Sequence, residues 1–406
     1  MRERARVDRG VSVPASRTKL PAMAPAITTD EDGAADAVLA RALCGPVACP
    51  PQVRPEVVVR RALYHGVAGC LTGTVEGWPS EAAEALRRAA MAQAMWEMRH
   101  RLVLSNLLSV MAASEVRVLV LKGSALAYDL YEPSAARARG DSDILIAPAD
   151  RDTARRVLAA QGFAHFYDDP TGDEAVRLQE TWTKQTPDGL VHDVDLHWQA
   201  LNSPLLAHAL QFDAVWARRH PLPRLCQAAF GLPRDGALLL ACAHRAQHIV
   251  NPYYVDGQVH YSGDRLIWLR DIDLLARVIE PAEWQDFEAA AAKAGLARVA
   301  LDGLAIAARQ LGTPVPAGTV GRLSAAPQDT PETRYLLGSH QAGRALRDLR
   351  AVPGLGRKIG FLWGRLVPPA SFMRAKYPDR SKEPLPVLHL RRIAAFLRPR
   401  PRGRGT

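Results

Sequence analysis

The sequence predicts an α+β fold, a small mixed sheet held between two helical regions, and three observations predict it. Short apolar or alternating runs cluster at 118–121, 141–146 and 191–198, which is the signature of strands. Ahead of them, residues 81–114 form one long helical stretch with only weak internal breaks. Beyond Pro204 the apolar spacing becomes helical again.

Taken in order, residues 1–36 read as a basic, disordered segment, Arg-rich over 1–19. Residues 1–29 contain no apolar run of the kind a secretory signal needs, and Met23 is an alternative initiator. Residues 37–114 make the amino-terminal helical region. Helical spacing of Ala, Leu and Val over 30–48 and 54–71 is broken by Cys49-Pro50-Pro51. Ser80 is the expected N-cap of the long helix, with Glu81 and Glu84 in its first turn. Leu102, Leu107, Leu108 and Met111 form the stripe expected to dock on the sheet.

Residues 115–203 carry the sheet. Val118-Leu119-Val120-Leu121 reads as a buried strand ending at Lys122-Gly123-Ser124, a turn able to offer backbone N–H groups to a phosphate. A helical pattern follows over 125–131, closed by Pro133. In Asp141-Ser142-Asp143-Ile144-Leu145-Ile146 the period of two puts Asp141 and Asp143 on one face and Ile144 and Ile146 on the other. Adjacent carboxylates repel unless a cation lies between them, so this strand is a Mg²⁺ candidate. Residues 150–161 predict a helix ended by Gly162, 163–167 another strand, and 171–188 a polar stretch leading through a hairpin to the next strand. There Val194, Leu196 and Trp198 share one face, and Asp193, Asp195 and His197 the other. Pairing of the two acidic strands would gather three or four carboxylates, enough for two divalent ions.

Residues 204–313 read as a helical, substrate-side region: helices at 234–249, 265–279 and 281–311, the last interrupted at Gly295, with 251–263 a loop. His244 and His248, four apart, share a helix face. No H-E-x-x-H glutamate accompanies them, so they read as packing near the cleft or as substrate contacts rather than as zinc ligands. Asp271 and Asp273 diverge on their helix, and Asp271 is expected to pair with Arg270 or Arg265. Residues 314–330, rich in Pro, Gly and Ser, read as a linker, and 331–406 as basic helices followed by an Arg/Pro tail.

The order strand, Gly-Ser turn, helix, Asp-x-Asp strand and later Asp strand resembles the nucleotidyltransferase superfamily that includes polymerase beta and the aminoglycoside nucleotidyltransferases. More narrowly, Leu121-Lys122-Gly123, Arg137 ahead of Asp141-Ser142-Asp143, and Asp195-Leu196-His197-Trp198 are similar to an uncharacterised bacterial nucleotidyltransferase family. Residues 265–272 and 372–378 fit it too. The spacer between Ser124 and Asp141 is longer than in the broad superfamily, and the narrower family accommodates it. The resemblance implies a transferase that moves a nucleoside monophosphate from an NTP, ATP among the candidates, to a hydroxyl acceptor: a small molecule, peptide or protein. It implies Asp141, Asp143 and Asp195 as catalytic metal ligands for Mg²⁺, with Mn²⁺ as an alternative. Lys122, Gly123, Ser124, Arg137 and Arg139 are implied on the nucleotide, and Asp193, His197, His244 and His248 on the substrate side.

Composition limits the alternatives. An apolar share of 48% suffices for a real core, and no apolar run approaches the roughly 18 residues of a membrane span. Cys44, Cys49, Cys70, Cys226 and Cys242 are odd in number and show no C-x-x-C spacing, the expectation for reduced thiols in the cytoplasm. The net charge of +10 is concentrated at the ends, which leaves nucleic-acid binding through basic termini as a second function class. A catalytically silent interaction platform on the same fold is a third.

Overall fold

The computed structural model describes residues 30–51, 53–75, 77–165, 178–250, 253–255, 258–260, 263–338, 341–368, 370, 373–374, 377, 380 and 382–397. The basic amino-terminal segment up to 29, Met23, the end of the strand expected at 163–167, and most of 372–378 lie outside them.

Helices α1 (Asp30–Cys44), α2 (Pro55–His65) and α3 (Ser80–Ala113) come first. Pro55 starts α2 with a preset φ, and Gly66 ends it in the left-handed region at φ 70°. For α3 the flanking residue is Pro79 and no side chain caps the end, so Ser80 is the first helical residue and not the N-cap. Leu104, Leu107, Leu108 and Met111 of α3 are buried as a stripe. Leu102 is not part of it. It sits about 140° around the helix from Leu107, and it is exposed, as are Met91, Met95 and Met98.

The strands are β1 (Val118–Val120), β2 (Asp141–Ile146), β3 (Ala164–His165), β4 (Gln179–Gln185), β5 (Val191–His197), β6 (His220–Pro221) and β7 (Phe230–Gly231). They form one sheet, ordered β3-β4-β5-β2-β1-β7-β6. Helix α4 (Lys122–Asp129) follows β1 directly, and α5 (Arg151–Ala160) follows β2. Strand β2 runs antiparallel to β1 and parallel to β5, with Asp141 opposite Asp193 and Asp143 opposite Asp195. Strand β4 returns antiparallel to β5 across a turn at Gly189, which is the hairpin the polar stretch predicted.

Two cores sandwich this sheet. On one face Ile144, Ile146, Val194 and Leu196 pack against the α3 stripe and Val157 and Leu158 of α5. On the other, Leu119, Leu121 and Leu145 meet the helical half, built from α6 (Phe212–Ala217), α7 (Arg234–Val250), α8 (Leu266–Val278), α9 (Pro281–Lys293) and α10 (Ala297–Leu311). Period two places the acidic side chains of β2 and β5 on this second face, toward α7 and α8.

Several expectations change. The loop at 251–263 contains a two-stranded hairpin, β8 (Tyr253–Val255) with β9 (Gln258–His260). The stretch at 281–311 is two helices, since Gly295 adopts φ 67°, which ends one before the next begins. The stretch at 314–330, expected as a linker, carries α11 (Ala317–Ala325), whose Thr319 and Leu323 are buried. Helices α12 (Pro331–Leu337), α13 (Gln341–Ala351) and α14 (Leu355–Leu366) follow, and the tail contributes a further helix, α15 (Leu385–Leu397). Among the described residues no helix is long and apolar enough to cross a membrane. All five cysteines are free thiols.

Candidate active site

The parallel register of β2 and β5 brings the acidic residues together from positions far apart in the chain. Ligand atoms of Asp143, Asp195 and His197 lie within 4.8 Å of one another. His197 Nε2 is 2.8 Å from Asp143 Oδ1, and its Nδ1 is 3.3 Å from Asn202 Oδ1. Lys122 Nζ donates to the same Asp143 oxygen at 2.5 Å. Asp195 accepts from Thr181 Oγ1 at 2.6 Å, and Asp193 from Thr183 Oγ1 at 2.7 Å. Both threonines come from β4, whose alternation Gln179-Glu180-Thr181-Trp182-Thr183 was the signal available in the sequence.

Electrostatics separates the three aspartates. Burial alone would raise Asp143, but the Lys122 cation and the His197 hydrogen bond outweigh it and hold the carboxyl far below its usual range. Asp195 goes up, through burial and then the Asp143 charge, against the Thr181 hydrogen bond. Asp141 lies at the open mouth of the cleft and accepts no side-chain hydrogen bond among the described residues. Protein atoms crowd out much of its water, and Asp143 and Asp195 repel its charge, so it is pushed up to about 7. Lys122 stays protonated: desolvation disfavours its charge, and Asp143 with the other carboxylates more than compensates.

The residues present fit a divalent cation. Three carboxylates crowd one spot, and among the described residues one lysine, Lys122, brings positive charge to Asp143 there. Two carboxylates to one imidazole in the tight group favour a hard ion, Mg²⁺ or Mn²⁺, over Zn²⁺. His197, expected on the substrate side, thus stands among the candidate ligands, while Asp141 stands just outside the tight group.

The basic residues expected on a phosphate are placed otherwise. Arg137 forms a buried bidentate pair with Asp271 of α8, Nε to Oδ1 at 2.8 Å and Nη2 to Oδ2 at 2.7 Å, and Tyr131 donates to the same carboxylate. Asp271 therefore pairs neither with Arg270 nor with Arg265. Arg270 bonds Asp273 instead, together with Arg277. Arg139 donates to buried Glu97 at 2.7 Å, and Tyr128 bonds that glutamate too. Both guanidinium groups are committed because a buried cation without a carboxylate is too costly to leave. Gly123 is required by Arg137 more than by a ligand, since a Cβ there would come within 2.9 Å of the guanidinium carbon. Lys122 adopts φ 50°, a strained value for a residue with a side chain, at the junction that aims its ammonium into the cleft.

Ser124 faces the other side of β2. Its hydroxyl meets Ser142 Oγ at 2.8 Å and the Asp141 carbonyl at 3.3 Å, and it is buried. Ser142 in turn meets His100 Nε2 at 2.7 Å, and His100 Nδ1 meets His192 Nδ1 at 3.1 Å. Nothing local in the sequence joins His100 to this strand. His244 and His248 sit side by side, ring centroids 4.4 Å apart, and both pack on Trp268. Burial holds His244 well below its ordinary value and His248 at about 4, so both are neutral at pH 7. A small cavity beneath Lys122 is lined by Arg137, His220, His244 and Trp268 among others, so the cleft continues toward the helical half.

An acidic cleft of this kind on a mixed sheet with helical flanks defines a phosphoryl-transfer class of protein. The chain belongs to a family of uncharacterised nucleotidyltransferases, whose model matches residues 51–312, well over half of its length. No curated protein matches it.

Proposed function

We propose that the protein transfers a nucleoside monophosphate from an NTP to a hydroxyl-bearing acceptor, with Mg²⁺ or Mn²⁺ as cofactor and pyrophosphate as the other product. The observation that carries this reading is the register placing Asp143 beside Asp195 on one sheet face, with Asp141 next along. Asp143, Asp195 and Asp141 would hold the metal, with His197 completing the set. A bound divalent cation supplies charge neutralisation for the triphosphate and for the departing pyrophosphate.

The chain's own groups do the rest. Lys122, balanced against Asp143 in the free protein, turns its ammonium to a phosphate oxygen once the carboxylates have another cation. The first N–H groups of α4 have no partners within the helix and face the same anion. Asp195, whose carboxyl is raised where that of Asp143 is lowered, takes the proton of the acceptor hydroxyl. The new bond joins the acceptor oxygen to the α-phosphorus, and the bond to the bridging oxygen of pyrophosphate breaks. Arg137 and Arg139 act at a distance by fixing the loop before β2. The acceptor, a small molecule, peptide or protein, enters from the side of α7 and α8, where His244 and His248 lie.

The test is release of pyrophosphate from each NTP with Mg²⁺ or Mn²⁺ and a cell extract as the source of acceptor. Asp141→Ala combined with Asp143→Ala should abolish release; an unchanged rate in that variant removes the proposed site.

A further inference from the structure

The charge of this chain is divided unevenly. Residues 341–406 hold 16 Lys and Arg against three Asp and Glu, so the remainder of the chain is slightly acidic. Helix α14 lies within this basic part. Its Leu355, Ile359, Leu362, Trp363 and Leu366 are 76, 59, 43, 66 and 53% exposed. A winding of 3.6 residues per turn gathers these five into one stripe about 100° wide. In a water-facing helix such a stripe normally turns to the core; here the stripe is exposed, and among the described residues of α14 it is Phe361, on another face, that is buried. Lys358 lies just beside the stripe, and Arg357 is exposed toward the opposite face. Helix α15 repeats the arrangement with exposed Val387, Leu390 and Ile393 beside Arg391.

We propose that α14 is a membrane-surface anchor that lies flat on an anionic phospholipid bilayer, its Leu, Ile and Trp side chains among the acyl chains. A helix with an apolar stripe, a basic polar face and too little apolar length to span suits the interface plane of a bilayer. Trp363 is the residue type that settles at headgroup level. Charge decides among occupants. A nucleic acid would use the basic residues and leave five large apolar side chains in water. A second copy of the chain would bring another strongly basic segment against the first. An anionic bilayer satisfies both the charge and the stripe.

The test uses the full chain with sedimenting vesicles of phosphatidylcholine, alone or mixed with phosphatidylglycerol. Binding to the anionic vesicles should be about tenfold stronger or more and should fall as salt rises. Brominated lipid should quench tryptophan fluorescence in the parent. Trp363→Phe should keep binding and lose most of that quenching. Ile359→Glu with Trp363→Glu should lose binding about tenfold with an unchanged circular dichroism spectrum, both sites being exposed. Equal binding to the two vesicle types, no binding to either, or parent-like binding by the double glutamate variant overturns the proposal. So does a dimer that this variant dissociates, or tighter binding to duplex DNA than to anionic vesicles that is indifferent to Trp363.

Discussion

The two faces of β2 treat their polar side chains in opposite ways. On the cleft face, Asp141 and Asp143 stand beside Asp193 and Asp195 with one lysine among them. On the other face, Ser142 joins a neutral chain through Ser124, His100 and His192. The second arrangement carries no net charge, and its buried groups meet one another, His192 Nε2 apart. The first is unfavourable for the free protein, because loss of water and then the neighbouring like charges raise Asp141 and Asp195. The difference teaches where to look: both faces gather polar side chains, and crowded like charge belongs to one.

That contrast makes substitutions on the two faces diverge. The largest effect is expected for Asp195→Asn, which should lower pyrophosphate release by about 10³-fold while leaving the melting temperature unchanged or higher, since it removes a repelled charge. A variant that loses stability along with activity would place Asp195 with the structural residues.

On the opposite face the effect is on pH dependence. Burial, and then the Arg139 cation and His192, hold His100 at about 2. Its folded value is thus below its unfolded one, so the stability it confers is complete above about pH 6.5 and is lost as pH falls toward 2. Between pH 6.5 and 4 this loss is up to about 3 kcal/mol. Urea unfolding of the parent and of His100→Gln should show the parent falling more steeply over that interval. Parallel slopes would mean that the two histidines take up protons without unfolding.

The smallest effect concerns Ser124. Its hydroxyl is occupied on the back of β2, so Ser124→Ala should cost about 1 kcal/mol in urea unfolding and leave the KM for NTP within about twofold. A clear rise in KM with unchanged stability would move Ser124 to the cleft side of the comparison.

The acidic strands were legible because period two shows in a single segment: Asp141 and Asp143, then Asp193, Asp195 and His197. That they are neighbours in parallel register follows from chain topology, which a single segment does not carry. Strand β4 was legible only as the polar arm of a hairpin, since its cleft face is Gln179, Thr181 and Thr183. Helix α11 was hidden because Gly318, Thr319 and Gly321 look like linker composition, although Thr319 and Leu323 are buried. The pairing of Arg137 with Asp271, 134 residues away, was out of reach of a reading that looks for a carboxylate's partner on its own helix. His100 was likewise invisible: a lone histidine on a long helix gives no hint of a hydroxyl partner on β2.

The missing side chain at Gly123 lets a guanidinium from the loop before β2 lie against the turn after β1 while its other edge grips α8. Arg137 thereby ties that turn to α8, alongside the Arg234–Asp129 pair between α7 and α4. Exchanging the helical half for that of a relative would therefore have to carry over the aspartate on α8, or the chimera would misplace the turn that holds Lys122 against Asp143.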